Sequence, residues 1–134
     1  MSFDLGVWHS TRVLSADAAD AVYQAVCEGA DLPRDGSIAP SARVASFIAE
    51  LNARFPDLDS LNDADVDASP WASGIENSDQ HAIFNIWWSA AKRMLAELQS
   101  LAANHELVLY DPQAEIVYNP PSLHSFPAWQ FWRR

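Results

Sequence analysis

A single cysteine, Cys27, is all the thiol chemistry that this 134-residue chain contains. One cysteine closes no internal disulfide and builds no cysteine-based zinc site, so nothing points to an oxidising compartment. Glycine is nearly as scarce, with four residues at 6, 29, 36 and 74. That scatter spells neither a P-loop nor a dinucleotide-binding fingerprint, and no serine lies in a G-x-S-x-G elbow. Basic residues are also few: 8 Lys and Arg stand against 18 Asp and Glu, a net charge of −10. A surface of that sign repels phosphate backbones and anionic lipid, which argues against a nucleic-acid or membrane-surface binder. No apolar run approaches the roughly 20 residues of a membrane span. The first ten residues lack the basic and apolar regions of a signal peptide, so we expect a cytoplasmic protein.

What the chain does have is material for a core. Hydrophobic residues make up 49% of it and charged residues 19%, the balance of a folded domain rather than a disordered segment. At this length about two thirds of the unfolded chain's surface can be buried in one core without a cross-link. Phe3, Leu5 and Val7 alternate with Asp4, Gly6 and Trp8, which predicts a strand over residues 3–9. Ser15 then reads as a helix N-cap, with Asp17 in the first turn where a carboxylate suits the helix dipole. Ala18/Ala19, Val22/Tyr23 and Val26/Cys27 form its apolar stripe, and Gly29 ends it. After a loop over residues 29–40, a second helix starts at Ser41. It carries Val44, Phe47/Ile48, Leu51 and Phe55 on one face and stops at Pro56. Residues 57–71, DLDSLNDADVDASPW, show no periodicity and form a long acidic connection, of a length often functional in compact domains. Residues 81–89, HAIFNIWWS, barely alternate, as befits a central strand covered on both faces. Ser89 is placed to cap a third helix, with Ala91, Met94/Leu95, Leu98 and Leu101/Ala102 as its stripe. Residues 107–110 and 115–118 follow as two strands joined by a turn at Asp111-Pro112.

The order is β-α-α-β-α-β-β. We expect an α+β fold, a mixed or antiparallel four-stranded sheet with helices on one face, in one domain over residues 1–118. Residues 119–134, NPPSLHSFPAWQFWRR, are predicted to be an extended tail, because Pro120, Pro121 and Pro127 disfavour helix. Phe126, Trp129, Phe131 and Trp132 make that tail sticky. It either covers the sheet face that the helices leave open or docks on a neighbouring chain.

Charge is concentrated in one place. No basic residue occurs between Arg54 and Lys92, while Asp57, Asp59, Asp63, Asp65, Asp67, Glu76 and Asp79 give the segment a charge of −7. Positions 63, 65 and 67 imitate the start of a calcium loop. Ala68 stands where that loop needs glycine, however, and Gly74 where it needs a bidentate glutamate, so we expect no metal. Two readings stay open: a solvated surface that keeps the protein soluble, or an acidic face that steers onto a basic partner. Trp71 ends the acidic stretch and Trp8 sits on the polar side of the first strand; each either fastens a loop to the core or serves as a partner hot spot. Trp87 and Trp88 point to opposite faces of one strand, so both are covered only if the sheet is packed on both sides. His9, His81, His105 and His124 lie on four different elements with no second ligand at metal spacing, and His105-Glu106 lacks the second histidine of a zinc-protease helix. His81 with Asp79 is the best available acid–base pair. Cys27 is expected to be a small core residue beside Tyr23 and Val26.

Three pieces of sequence carry a resemblance: FDLGVW at 3–8, SPW at 69–71, and LVLYDPQ at 107–113 directly after a helix. Together they resemble a group of small, acidic bacterial proteins that open with an S-[FY]-D-L-x-V-W strand and close the domain with a helix, a strand and a D-P-Q turn. Some members look like immunity proteins, made beside a delivered toxin to neutralise it in the producing cell. The tail beyond Tyr118 lies outside that pattern. The resemblance implies structural motifs, and no catalytic residue is carried over.

We therefore expect an immunity (antitoxin) protein, not an enzyme and with no cofactor. It would bind a toxin or effector with a basic active-site cleft, in the cytoplasm, through Asp57, Asp59, Asp63, Asp65, Asp67, Trp71, Glu76 and Asp79. The alternatives are a small hydrolase-like enzyme using His81 and nearby carboxylates, and a homo-oligomer paired through the hairpin edge after Glu115.

Overall fold

Side chains that alternate along a strand divide the core into two layers. The computed structural model describes residues 2–32 and 37–124. Within them, strands β1 (Ser2–Trp8), β2 (Glu76–Asn77), β3 (His81–Trp87), β4 (Val108–Asp111) and β5 (Ile116–Tyr118) form one antiparallel sheet in the order β2-β3-β1-β4-β5. The α-helices are α1 (Ala16–Glu28), α2 (Ala42–Arg54), α3 (Asp63–Val66) and α4 (Ala91–Asn104). The class is α+β, as expected. The sheet has five strands rather than four because Glu76 and Asn77 add a short edge strand against Ile83 and Ala82. Two residues carry no periodicity that a sequence could display. No helix among the described residues is long and apolar enough to cross a membrane.

Phe3, Leu5 and Val7 of β1 stand opposite Ile86, Phe84 and Ala82 of β3. They pack with Val44, Phe47 and Leu51 of α2 and with Met94, Leu98 and Leu101 of α4. Gly6 and Trp8 face the other way with Ile83, Val108 and Tyr110, and α1 covers them with Ala19, Val22 and Tyr23. Helices thus lie on both faces, which corrects the expectation of helices on one. An apolar stripe shows that a helix buries a side, not which face of the sheet receives it. Gly6 permits the close approach of α1: a Cβ there would lie 3.0 Å from Tyr23 Cδ1 and 3.1 Å from Trp8 Cζ3. The Tyr110 hydroxyl donates to Asp20 Oδ1 at 2.8 Å and ties α1 to the sheet.

The helix signals hold at α1 and α2. Ser15 Oγ accepts the Ala18 N–H at 3.1 Å, Gly29 takes the left-handed conformation at φ 67°, and Ser41 Oγ accepts the Arg43 N–H at 3.1 Å. At α4 they do not. Ser89 makes no capping bond to the helix; instead Trp88–Ala90 form a 3₁₀ turn that runs into it. β3 therefore stops at Trp87, and the two tryptophans do not alternate across a covered strand. Trp87 is 48% exposed and Trp88 49%. Cys27 is exposed as well, correcting its assignment to the core, because the last turn of α1 packs Val26 on the core and leaves Cys27 outside. Pro121–His124 wind into a 3₁₀ turn where extended chain was expected. Proline suits the first position of such a turn, whose donor goes unused, and Leu123 packs on the α1-side core. Phe126, Pro127, Trp129, Phe131 and Trp132 lie outside the described residues; the sheet face assigned to them carries α1.

The first strand and the D-P-Q turn meet in space. Asp111, only 4% exposed, accepts the Gln113 N–H at 3.0 Å and the Ala114 N–H at 3.2 Å through Oδ1. The turn aims Gln113 at β1, where its Oε1 accepts the Asp4 N–H at 2.6 Å and its Nε2 donates to the Asp4 carbonyl at 2.8 Å. β4 pairs with β1 only at Gly6, Val7 and Trp8, so one side-chain amide stands in for the missing strand beside Asp4. The Asp4 carboxylate in turn accepts Ser2 Oγ at 2.6 Å and Asn85 Nδ2 at 2.8 Å. These motif residues hold the sheet together.

Candidate functional site

The acidic connection is more structured than its sequence. After Pro56 a 3₁₀ turn, Leu58–Ser60, is closed by Ser60 Oγ donating to the Asp57 carbonyl at 2.7 Å. Asn62 Oδ1 accepts the Asp65 N–H at 3.0 Å and caps α3, which places Asp63 and Asp65 in a first turn where the helix dipole favours them. Asp65 stands two residues from both Asp63 and Asp67 on this helix and its end, a spacing at which side chains do not face one another, so the three do not converge as calcium ligands would. Among the described residues, no group of three His, Cys, Asp or Glu side chains is placed to hold a metal ion.

Trp71 fastens the far end of the stretch. It is 1% exposed, stacks on Phe84 with ring centroids 5.6 Å apart, and donates its indole N–H to the Phe55 carbonyl at 3.0 Å. Beside it the Trp87 N–H donates to the Pro70 carbonyl at 3.0 Å and the Ala72 N–H to the Asn85 carbonyl at 2.7 Å, so the loop covers the edge of β3 that the short β2 leaves open. Trp71 was grouped with the acidic residues as a partner contact. Its burial corrects that: it fastens the loop to the core. Trp8, 0% exposed, is likewise a core residue.

The acidic side chains point the other way. Asp59, Asp63, Asp65, Asp67, Glu76 and Asp79 are exposed, and Asp57 is half-buried, accepting the Ile75 N–H at 3.3 Å. They lie in three groups. Asp57 and Asp59 both border Gly74, within 3.6–3.7 Å of where its Cβ would stand. Asp63, Asp65 and Asp67 belong to α3 and its end. Glu76 opens β2, and Asp79 lies in the turn between β2 and β3. Arg93 lies with Asp65 along one shallow groove and with Asp67 along another, over the Phe55 ring at 5.8 Å. Arg54 is paired with Glu50 at 2.8 Å.

His81 opens β3 from that turn. Its Nδ1 lies 2.9 Å from Ser78 Oγ, an oxygen that also accepts the backbone N–H groups of Gln80 and His81. Burial lowers its pKa, against the opposing pull of Glu76 and Asp79. It lines a cleft of about 410 Å³ with Gln80, Asp31, Leu32 and Ile38. Desolvation raises the pKa of Cys27 despite a hydrogen bond with Tyr23, which disfavours the thiolate. The other histidines described fasten structure. His9 Nδ1 lies 3.3 Å from the Ala39 carbonyl, and His105 joins Glu50 at 3.1 Å with its ring edge-on to Phe47. The His124 side chain lies outside the described residues.

The exposed residues that sequence reasoning missed are Trp87 and Trp88. Trp87 lines the same groove as Asp67, Ser69, Ser89 and Arg93, and Trp88 meets Phe3 edge-on at 5.3 Å. Their position after an apolar strand concealed them. No protein-family model, curated protein or solved structure matches this chain.

Proposed function

We propose that this is an immunity (antitoxin) protein that binds a basic toxin or effector and neutralises it in the cytoplasm. The observation that carries the reading is the acidic segment: six exposed carboxylates are held outward by a loop fastened through Trp71, with no Lys or Arg between residues 55 and 91. Such a surface raises the rate of encounter with a cationic cleft and rejects anionic competitors. The resemblance of FDLGVW and D-P-Q to small acidic immunity proteins adds to it. The test is co-expression with the product of the adjacent gene. Restored growth and a co-purifying complex that weakens with salt are the expected results. An adjacent gene product that is harmless and does not bind would refute the reading.

One observation favours a second reading. His81 lines a cleft, and burial there lowers its pKa and so favours the neutral imidazole that a general base uses. His81→Ala separates the two: a binder keeps its protective effect, whereas an enzyme built on His81 loses it without unfolding.

A further inference from the structure

We propose that Trp87 and Trp88 are the aromatic anchors of a docking surface for an arginine-bearing protein segment, with Asp67 as the charge that orients it. The inference rests on the reading of the protein as a binder of basic partners, and adds the residues that make the desolvated contact. Two indoles adjacent in sequence stand half in water, at 48% and 49% exposure, whereas the other exposed large apolar side chains in the described residues, Val13 and Ile116, are aliphatic. The Trp87 backbone is bonded to Pro70, and the Trp88 ring rests edge-on against Phe3. A half-exposed tryptophan beside a polar rim is the form that interface hot spots take.

Charge identifies the occupant. A second copy of a chain carrying −10 is repelled, as is any polyanion. Trp87 and Asp67 share a groove of about 300 Å³ with Ser69 and Ser89. An indole face attracts a cation and a carboxylate pairs with one, and guanidinium does both: it stacks flat on the ring and offers a planar fork to the carboxylate. Lysine offers only a point charge. Arg93 lines the same groove and is a like charge to the incoming group, which supplies a test of sign.

The probe is a nine-residue arginine peptide, with nine-residue lysine and glutamate peptides as comparisons, titrated into protein labelled with 5-fluorotryptophan. The indole signals are assigned by single Trp→Phe replacements and read by fluorine NMR. We expect the Trp87 and Trp88 signals to move with the arginine peptide, less with lysine and not with glutamate, while Trp8 and Trp71 stay still. Trp87→Ala with Trp88→Ala is expected to weaken binding about tenfold or more, as the loss of hot-spot aromatics does. Asp67→Asn is expected to weaken it by a smaller factor, and Arg93→Gln to strengthen it. Because Trp88 touches Phe3, Trp87→Ala alone serves as a second variant, with a thermal melt to show that it is folded. If the arginine peptide binds but the Trp87 and Trp88 signals stay still, or Arg93→Gln weakens binding, the docking surface is refuted. The neutralising function then stands or falls on the co-expression result alone.

Discussion

Trp71→Ala tests whether the acidic connection is fastened by a core residue or only fringed by an interface residue. The indole is 1% exposed, stacks on Phe84 and satisfies the Phe55 carbonyl at the end of α2. Truncating a buried aromatic of this size costs about 3–5 kcal/mol through lost transfer energy and the cavity left behind. The orphaned carbonyl pushes the cost toward the upper end of that range unless water enters. For 134 residues the unfolding entropy near the midpoint is about 0.28 kcal/mol/K, so each kcal/mol lowers Tm by about 3.5 °C. Calorimetry should therefore show a fall of about 14–18 °C for Trp71→Ala. Trp71→Phe keeps a ring on Phe84 but loses the donor and part of the buried ring, so it should cost less than the alanine change, about 2–3 kcal/mol, or about 7–11 °C. Urea unfolding of both variants supplies an independent free energy. If Trp71→Ala melts within about 2 °C of wild type, far below the expected shift, Trp71 carries no core load and the loop is not fastened as described.

Gln113→Ala removes both hydrogen bonds to the Asp4 backbone; it should cost about 1–2 kcal/mol and speed hydrogen exchange at the Asp4 amide, and unchanged exchange there refutes the strand-substitute role. Burial holds the His81 pKa below its unfolded value, so as pH falls through about 6.5 the unfolded chain takes the proton first and stability present above that pH is lost. His81→Gln should consequently lose less Tm than wild type between about pH 7.5 and 5, and equal losses in paired melts would contradict the burial argument. Cys27 is exposed with a raised pKa, so iodoacetamide should alkylate it slowly at neutral pH without unfolding the protein. Cys27→Ser should stay within about 0.5 kcal/mol of wild type, as surface changes do, and a Tm drop beyond about 5 °C would return Cys27 to the core.

Much of the fold was legible because its causes are local. Ser15 and Gly29 bracket α1, Ser41 and Pro56 bracket α2, and the alternation of Phe3, Leu5 and Val7 marks β1; each is a matter of a few neighbouring residues. The acidity of residues 57–79 was equally plain, since charge is counted and not folded. Three things depended on distant partners. The face that α1 covers was decided by Gly6, whose missing Cβ admits Tyr23 from 17 residues away. The place of Trp71 was decided by Phe84 and the Phe55 carbonyl, which turned a candidate contact into a core side chain. Trp87 and Trp88 meet water where β3 ends and a 3₁₀ turn leads into α4, a boundary that the apolar run itself does not mark. Sequence alone determined which segments bury a face and where negative charge accumulates, because propensity and charge belong to residues. Only the tertiary structure decided which tryptophans meet water, because exposure belongs to the surroundings.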